Sequence, residues 1–301
     1  MGDRRSQVNE PKRRKRPYQS LIRLISDWGV AIPFALVIGV LLLGPTVNIA
    51  LDSIRSRDGG FTLANWADVF RLPITQRAIV ASIVLGVTVA TLSTLIGAPL
   101  AWCVGRLRIG GRSVAIAALN VAANLSATAL VFGFAATFGG AGLATLALRA
   151  AWPMAPAIDL YSTTGLVVVY LYFHVPLFVL IVLPAMGAVS ESLWEAAAVC
   201  GAPPLLFWGR VGLPILAPFF LAGWILMFVW AIGAYGVPLA LGGTDGSIEL
   251  ITLRIGALVQ SVGSTNRFER AACLSLLLIL VSIGALWIYR AMLRRALRWL
   301  G

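Results

Sequence analysis

The chain has 301 residues, of which 59% are hydrophobic and 12% charged, and its mean hydropathy is +0.89. Soluble domains carry roughly 25% charged residues to cover a large surface, so this composition excludes a water-soluble globule and, with it, disordered and disulfide-stapled classes. The net charge of +12 is not spread over a domain face: eight basic residues precede residue 28 and four follow residue 289. Basic ends flanking apolar runs point to anionic lipid headgroups rather than nucleic acid.

Residues 1–16 form a basic tail, with Lys12, Arg13, Arg14, Lys15 and Arg16 in sequence, too poor in apolar residues to fold. No short apolar core with a cleavage site follows, so a removable signal peptide is not expected. Between Tyr18 and Trp28, Leu21, Leu24, Ile25 and Trp28 share one helical face and Ser20, Arg23 and Asp27 the other. That pattern suits a helix lying in the membrane interface, or else an extension of the first span.

Six spans are expected, at about 30–51, 78–104, 113–138, 165–186, 213–241 and 271–289, each near the ~20 residues a bilayer requires. The fifth is expected to end before Tyr235 and to continue as irregular backbone, because Gly233, Gly236 and Pro238 cluster there. Residues 291–301 are read as a basic C-terminal tail. Placing both ends in the cytoplasm puts sixteen of the twenty-four basic residues on that side and eight on the other, and the excess of Lys and Arg sets the orientation. Cys103, Cys200 and Cys273 have no metal-ligand spacing and are expected to be free thiols.

One connection is unusual. The loop at 187–214 falls on the cytoplasmic side yet carries Leu193, Trp194, Leu205, Leu206, Phe207 and Trp208. Such an apolar loop must fold back on the membrane or serve as a docking surface. Within it Glu195-Ala196-Ala197 is followed after three residues by Gly201, and nine residues later by Val211-Gly-Leu213-Pro214. Small residues allow close approach to a partner. Gly201 permits a helix-ending turn, Pro203 and Pro204 block continuation, and Glu195 suits the positive end of a helix dipole.

This spacing resembles the EAA loop of the membrane subunits of type I, binding-protein-dependent ABC importers, with Val211 in place of isoleucine as the one departure. The resemblance implies an all-α polytopic membrane protein of the MetI-like permease type, with an N-terminal interfacial helix and a cytoplasmic coupling helix. It further implies that Glu195, Ala196, Ala197, Gly201, Val211, Leu213 and Pro214 couple the permease to ATPase subunits. The implied partners are two ATPases, a second permease (the same chain or a related one) and an extracytoplasmic solute-binding protein. Phe138-Gly-Gly-Ala-Gly142-Leu, Tyr235-Gly-Val-Pro-Leu-Ala-Leu-Gly-Gly243 and Arg270-Ala-Ala resemble the branch for polyamines, thiamine, ferric iron and aminoethylphosphonate.

The only lysines are Lys12 and Lys15, so the chain lacks the phosphate-cradling lysine of a P-loop. It is expected not to be an enzyme and to hold no cofactor, ATP and magnesium being used by the partner ATPase. A single histidine excludes a histidine-based metal cluster. Candidate path-lining residues are Asn120, Asn124 and Thr128, spaced for one polar stripe on span three, which faces the path or forms a hydrogen-bonded seam between helices. His174 either caps a carbonyl freed by Pro176 or meets solute, and Tyr235 sits near the outer mouth. Thr88, Thr91 and Thr94 are expected to bond their own helix. A cationic solute would favour Asp159 or Glu249. The spans hold no acid, so selection is expected in the loops or in the binding protein. A stand-alone secondary transporter or channel would need inverted repeats or midplane ionisable groups, and an intramembrane enzyme a nucleophile with its base.

Overall fold

A computed structural model describes residues 29, 32–56, 60–152, 159–242, 248–261 and 266–300. The basic tail and the expected interfacial helix lie outside them. The chain divides into two units, Met1–Leu51 and Asp52–Gly301. Most of the described part of the first belongs to helix α1, Ile32–Ile54, which widens to π-type winding at Gly39–Leu43.

The second unit is a helical bundle. In chain order its helices are α2 (Ala64–Arg71), α3 (Pro73–Gly105), α4 (Ile109–Ala123), α5 (Ala127–Phe138), α6 (Leu143–Ala151) and α7 (Thr163–Val182). A tight 3-10 turn, Leu183–Ala188, leads to α8 (Glu191–Val199), and then follows α9 (Pro204–Gly233). Last come α10 (Gly236–Gly242), α11 (Ile251–Gln260) and α12 (Arg267–Leu300). Six helical stretches, α1, α3, α5 with α6, α7 with its tight turn, α9 and the first part of α12, are long and apolar enough to cross a membrane. Among the described residues there is no strand beyond one isolated bridge between Arg55 and Phe61.

Helix α3 is the centre of the bundle, packed against α7 and α9, and α9 packs in turn on α12. A β-carbon on Gly97 would come within 2.6 Å of the Phe178 ring, and one on Gly105 lies 3.6 Å from Met186. Both pairs keep one offset in numbering, so α3 and α7 run side by side in the same direction. The Phe178 ring is also where a β-carbon on Gly223 of α9 would come within 2.7 Å. Three helices thus meet on one aromatic ring, which is fully buried. Small residues at such crossings let backbones approach and strengthen dispersion, the main attraction available between helices in lipid.

The expected third span is broken. Helix α4 ends at Ala123, Asn124 takes φ −110° and Ser126 is extended before α5 begins. The side chains of Asn120 and Asn124 donate to the carbonyls of Ile116 and Asn120, a local bonding mode that weakens helix continuity. Alone, the 15 residues of α4 reach about 22 Å, short of a hydrocarbon core of about 30 Å. The fifth span starts earlier than expected, at Pro204, and stops at Gly233. The irregular backbone after it is only Ala234 and Tyr235 before α10. The segment read as a basic tail continues helix α12 to Leu300.

Gly97→Val should force Phe178 out of its seat and separate three helices. Overpacking of this kind costs about 1–3 kcal/mol, so the variant should insert normally but lose several degrees of thermal stability in detergent, measured by loss of the monodisperse elution peak.

Candidate functional site

Helix α8 is short, and its end explains its shape. Gly201 has φ +70°, a conformation that costs a side chain roughly 1–2 kcal/mol. Its N–H donates to the carbonyl of Ala198 and that of Ala202 to Ala197, the paired bonds of a Schellman ending. A β-carbon at Gly201 would meet nothing within 4 Å, so the glycine answers a backbone need and not a crowded neighbour. Pro203 is extended, and Pro204 opens α9 at a first-turn position where its missing N–H costs nothing.

One face of α8 is anchored. Trp194 and Ala197 pack against the cluster that includes Phe207, Leu216 and Met186. The Trp194 ring meets Phe207 edge-on at 4.9 Å, Phe207 meets Trp208 at 5.9 Å, and Trp208 meets Trp102 at 4.5 Å. The Arg106 guanidinium closes the circuit, lying 4.3 Å from the Trp102 centroid and 5.7 Å from that of Trp194. Aromatic pairs of this geometry contribute about 0.5–1.5 kcal/mol each, and a stacked guanidinium a similar amount. The ring binds the end of α3, the body of α8 and the start of α9 to one another. Trp208 folds over Gly212, where a β-carbon would fall 2.6 Å from the ring. The winding at Trp208–Gly212 is π-type.

The other side of the elbow, from α8 into the first turn of α9, is open and apolar. Val199 is 89% and Leu205 87% exposed, and Glu195, Ala196 and Ala198 are exposed beside them. Of the coupling residues read from sequence, Glu195, Ala196 and Gly201 lie on this free side and Ala197 on the anchored side. Val211 sits in the π-type turn and packs inward, while Leu213 and Pro214 are exposed where the regular winding of α9 resumes. Sequence reasoning missed Trp102, Arg106 and Gly212. Trp102 and Arg106 precede α8 by about ninety positions and enter only through packing of α3, so no local signal exposes them.

The candidate path residues do not assemble as expected. Asn120 lies in α4, Asn124 caps it and Thr128 belongs to α5, so the three form no continuous stripe, because the helix breaks between them. His174 is fully buried, and its Nδ1 bonds the carbonyl of Tyr170 at 2.9 Å. The carbonyl that Pro176 leaves without an amide donor is that of Tyr172, four residues earlier, so the cap expected for His174 is made to a different group. The common direction and register of α3 and α7 bring Ser93 level with His174. Ser93 Oγ, Tyr170 Oη and His174 Nε2 are buried without a hydrogen-bond partner among the described residues. Thr91 Oγ1 accepts from Trp224 Nε1 at 3.0 Å, a bond between α3 and α9 where one within α3 was expected. Tyr235 is half-buried, its hydroxyl 3.4 Å from Gln260 Nε2. Glu249 is paired with Arg77 at 3.7 Å, and Asp68 with Arg270 at 3.3 Å.

No family model matches the sequence. Among curated proteins, a sulfate transport system permease protein of Anthoceros angustus is 24% identical over 272 residues, covering 89% of each chain. A 2-aminoethylphosphonate transport system permease protein of Salmonella paratyphi A is 23% identical, covering 85% of this chain and 87% of its own. Among solved structures, a chain of a bacterial alginate ABC transporter, crystallised with its alginate pentasaccharide-bound periplasmic protein, superposes with a TM-score of 0.75. It covers 93% of this chain and 98% of its own at 15% identity. Over most of its length the chain is similar to permease subunits of ABC transporters, and it shares their fold. Six long apolar helices make it a multi-pass membrane protein, and α8 carries the spacing that resembles the EAA loop.

A double-mutant cycle of Trp102→Leu and Trp208→Leu should give a coupling of about 1 kcal/mol in mixed-micelle unfolding. A value near zero would mean that the ring does not hold α3 to α9.

Proposed function

We propose that this permease forms one half of a solute path in a cytoplasmic membrane and is driven by separate ATPase subunits that grip α8. The observation that carries the reading is the pairing of an open apolar face, including Val199 and Leu205, with an aromatic ring that ties the same short helix to α3 and α9. An exposed patch of this kind marks a docking surface, and the ring supplies a stiff link from that surface to two spans. Both termini and α8 lie on the cytoplasmic side in this reading, which the excess of arginine there supports: Arg106, Arg108, Arg112 and Arg210 flank the elbow.

Two ATPases, a second permease and an extracytoplasmic binding protein complete the assembly. The ATPases use ATP and magnesium; the permease holds neither. The alginate transporter of similar fold was crystallised together with a periplasmic protein, which supports the last partner. ATP binding shifts the equilibrium by favouring one arrangement of the ATPase pair. The displacement passes through α8 and the ring, and α3 and α9 turn as packed units, opening and closing the path alternately to each side.

The solute we propose is a small anion. The relatives are named for sulfate and for 2-aminoethylphosphonate. In this chain Glu249 and Asp68 are engaged by arginines, so of Asp159 and Glu249, the carboxylates a cationic solute would use, one is already neutralised. Of the solutes considered from sequence, an aminoethylphosphonate fits best, ahead of polyamines, thiamine and ferric iron. Specificity rests mainly with the binding protein.

The complex reconstituted in liposomes with its ATPase and binding protein should turn over ATP faster with phosphonate or sulfate than with spermidine, thiamine or ferric chelate. Preference for a cation would overturn the solute assignment alone. Gly201→Asp should leave the chain inserted while ATPase co-purification falls more than about ten-fold, the effect of roughly 1.4 kcal/mol or more at the interface. Normal co-purification and transport by that variant would remove α8 from the coupling role.

A further inference from the structure

Two cavities adjoin beside α8 and share Trp102 and Met186. The first, about 510 Å³, is lined by Arg106, Arg112, Ser190 and Glu191. The second, about 330 Å³, is apolar, between Ala98 and Pro99 of α3 and Leu213, Leu216 and Phe220 of α9. We propose that this two-part groove binds an anionic phospholipid, its phosphodiester on Arg106 and Arg112 and an acyl chain in the cleft between α3 and α9.

The charge matches. Arg106 is fixed against two tryptophan rings, which orients the guanidinium while leaving its N–H edge for an oxyanion. Arg112 makes no ion pair among the described residues. Two guanidiniums against the single carboxylate of Glu191 leave one net positive charge, the complement of one phosphodiester. Glu191 and Ser190 offer acceptors for the hydroxyls of a glycerol headgroup. The depth matches as well. The apolar cleft runs between two helices long enough to cross the membrane, and its depth and apolar lining suit an acyl chain. The polar cavity lies just outside, at the level where basic side chains meet the phosphates of an anionic leaflet. The site needs only the six spans and stands whether or not α8 docks an ATPase. Where it does, the lipid sits against the aromatic ring and its charge reaches the elbow directly.

The test uses the purified full-length chain in neutral detergent, with bound lipid counted by native mass spectrometry. Dioleoyl phosphatidylglycerol, dioleoyl phosphatidylcholine and inorganic phosphate are the three probes. Phosphatidylglycerol should be retained about ten-fold more tightly than phosphatidylcholine, and phosphate should not compete with it at millimolar concentration. Arg112→Gln should weaken phosphatidylglycerol about five-fold, the scale of one arginine at an anionic surface, with phosphatidylcholine unchanged and Arg112→Lys restoring much of the loss. Leu213→Trp, which narrows the cleft, should weaken both lipids without loss of helicity by circular dichroism. Equal retention of the two lipids, or an Arg112→Gln variant that still prefers phosphatidylglycerol, overturns the proposal. Phosphate binding as tight as the lipid's assigns the cavity to a free oxyanion, and loss of the lipid on adding the ATPase assigns it to the docking face; either result overturns it too.

Discussion

A hydrocarbon layer offers the peptide group no water to bond, and each unsatisfied N–H or C=O there costs several kcal/mol. That constraint makes the spans helical, and it governs each place where the winding stops. At the break after α9, the Thr252 hydroxyl donates to the carbonyl of Ala234. At the start of α11, the amide of Ile251 donates to Ser82 Oγ on α3. At the end of α4 the Asn124 amide still donates to the carbonyl of Asn120, which its side chain also meets, and α7 begins with Ser162 Oγ accepting from the amide of Gly165. Several interruptions in this bundle are therefore bonded by side chains, while α8 closes through backbone bonds alone.

Between helices the same solvent removes the usual hydrophobic incentive, because lipid tails are as apolar as leucine. The bundle answers with one recurrent device, an aromatic ring seated on a glycine. Phe178 of α7 rests on Gly97 of α3 and Gly223 of α9, and Tyr235 on Gly256 of α11. Rings present large flat areas, glycines remove the obstacle to approach, and many weak dispersion attractions add up over the shared area. The elbow extends the device into a circuit, with Arg106 stacked where a fifth ring would otherwise stand.

Much of this was legible in the sequence. The apolar runs and the unequal distribution of arginine are properties of composition, and composition alone decides between water and lipid as solvent. The ending of α8 was legible too, because a glycine before two prolines has few other uses. The break at Asn124 was not: asparagines at i and i+4 read as a stripe on an unbroken helix as well as they read as a cap, and only the backbone at Asn124 and Ser126 separates the two. His174 shows the same limit, since its neighbourhood with Pro176 suggested one carbonyl and the structure uses another. The aromatic ring was hidden for a different reason. Its members come from three helices, and nothing in the order of residues records that the end of α3 returns to the start of α9.

The π-type turn at Trp208–Gly212 winds more than the usual 3.6 residues into a single revolution. The extra residue re-phases the side chains beyond it, and Phe207 and Trp208 before the turn and Phe220 and Trp224 after it reach one and the same cluster.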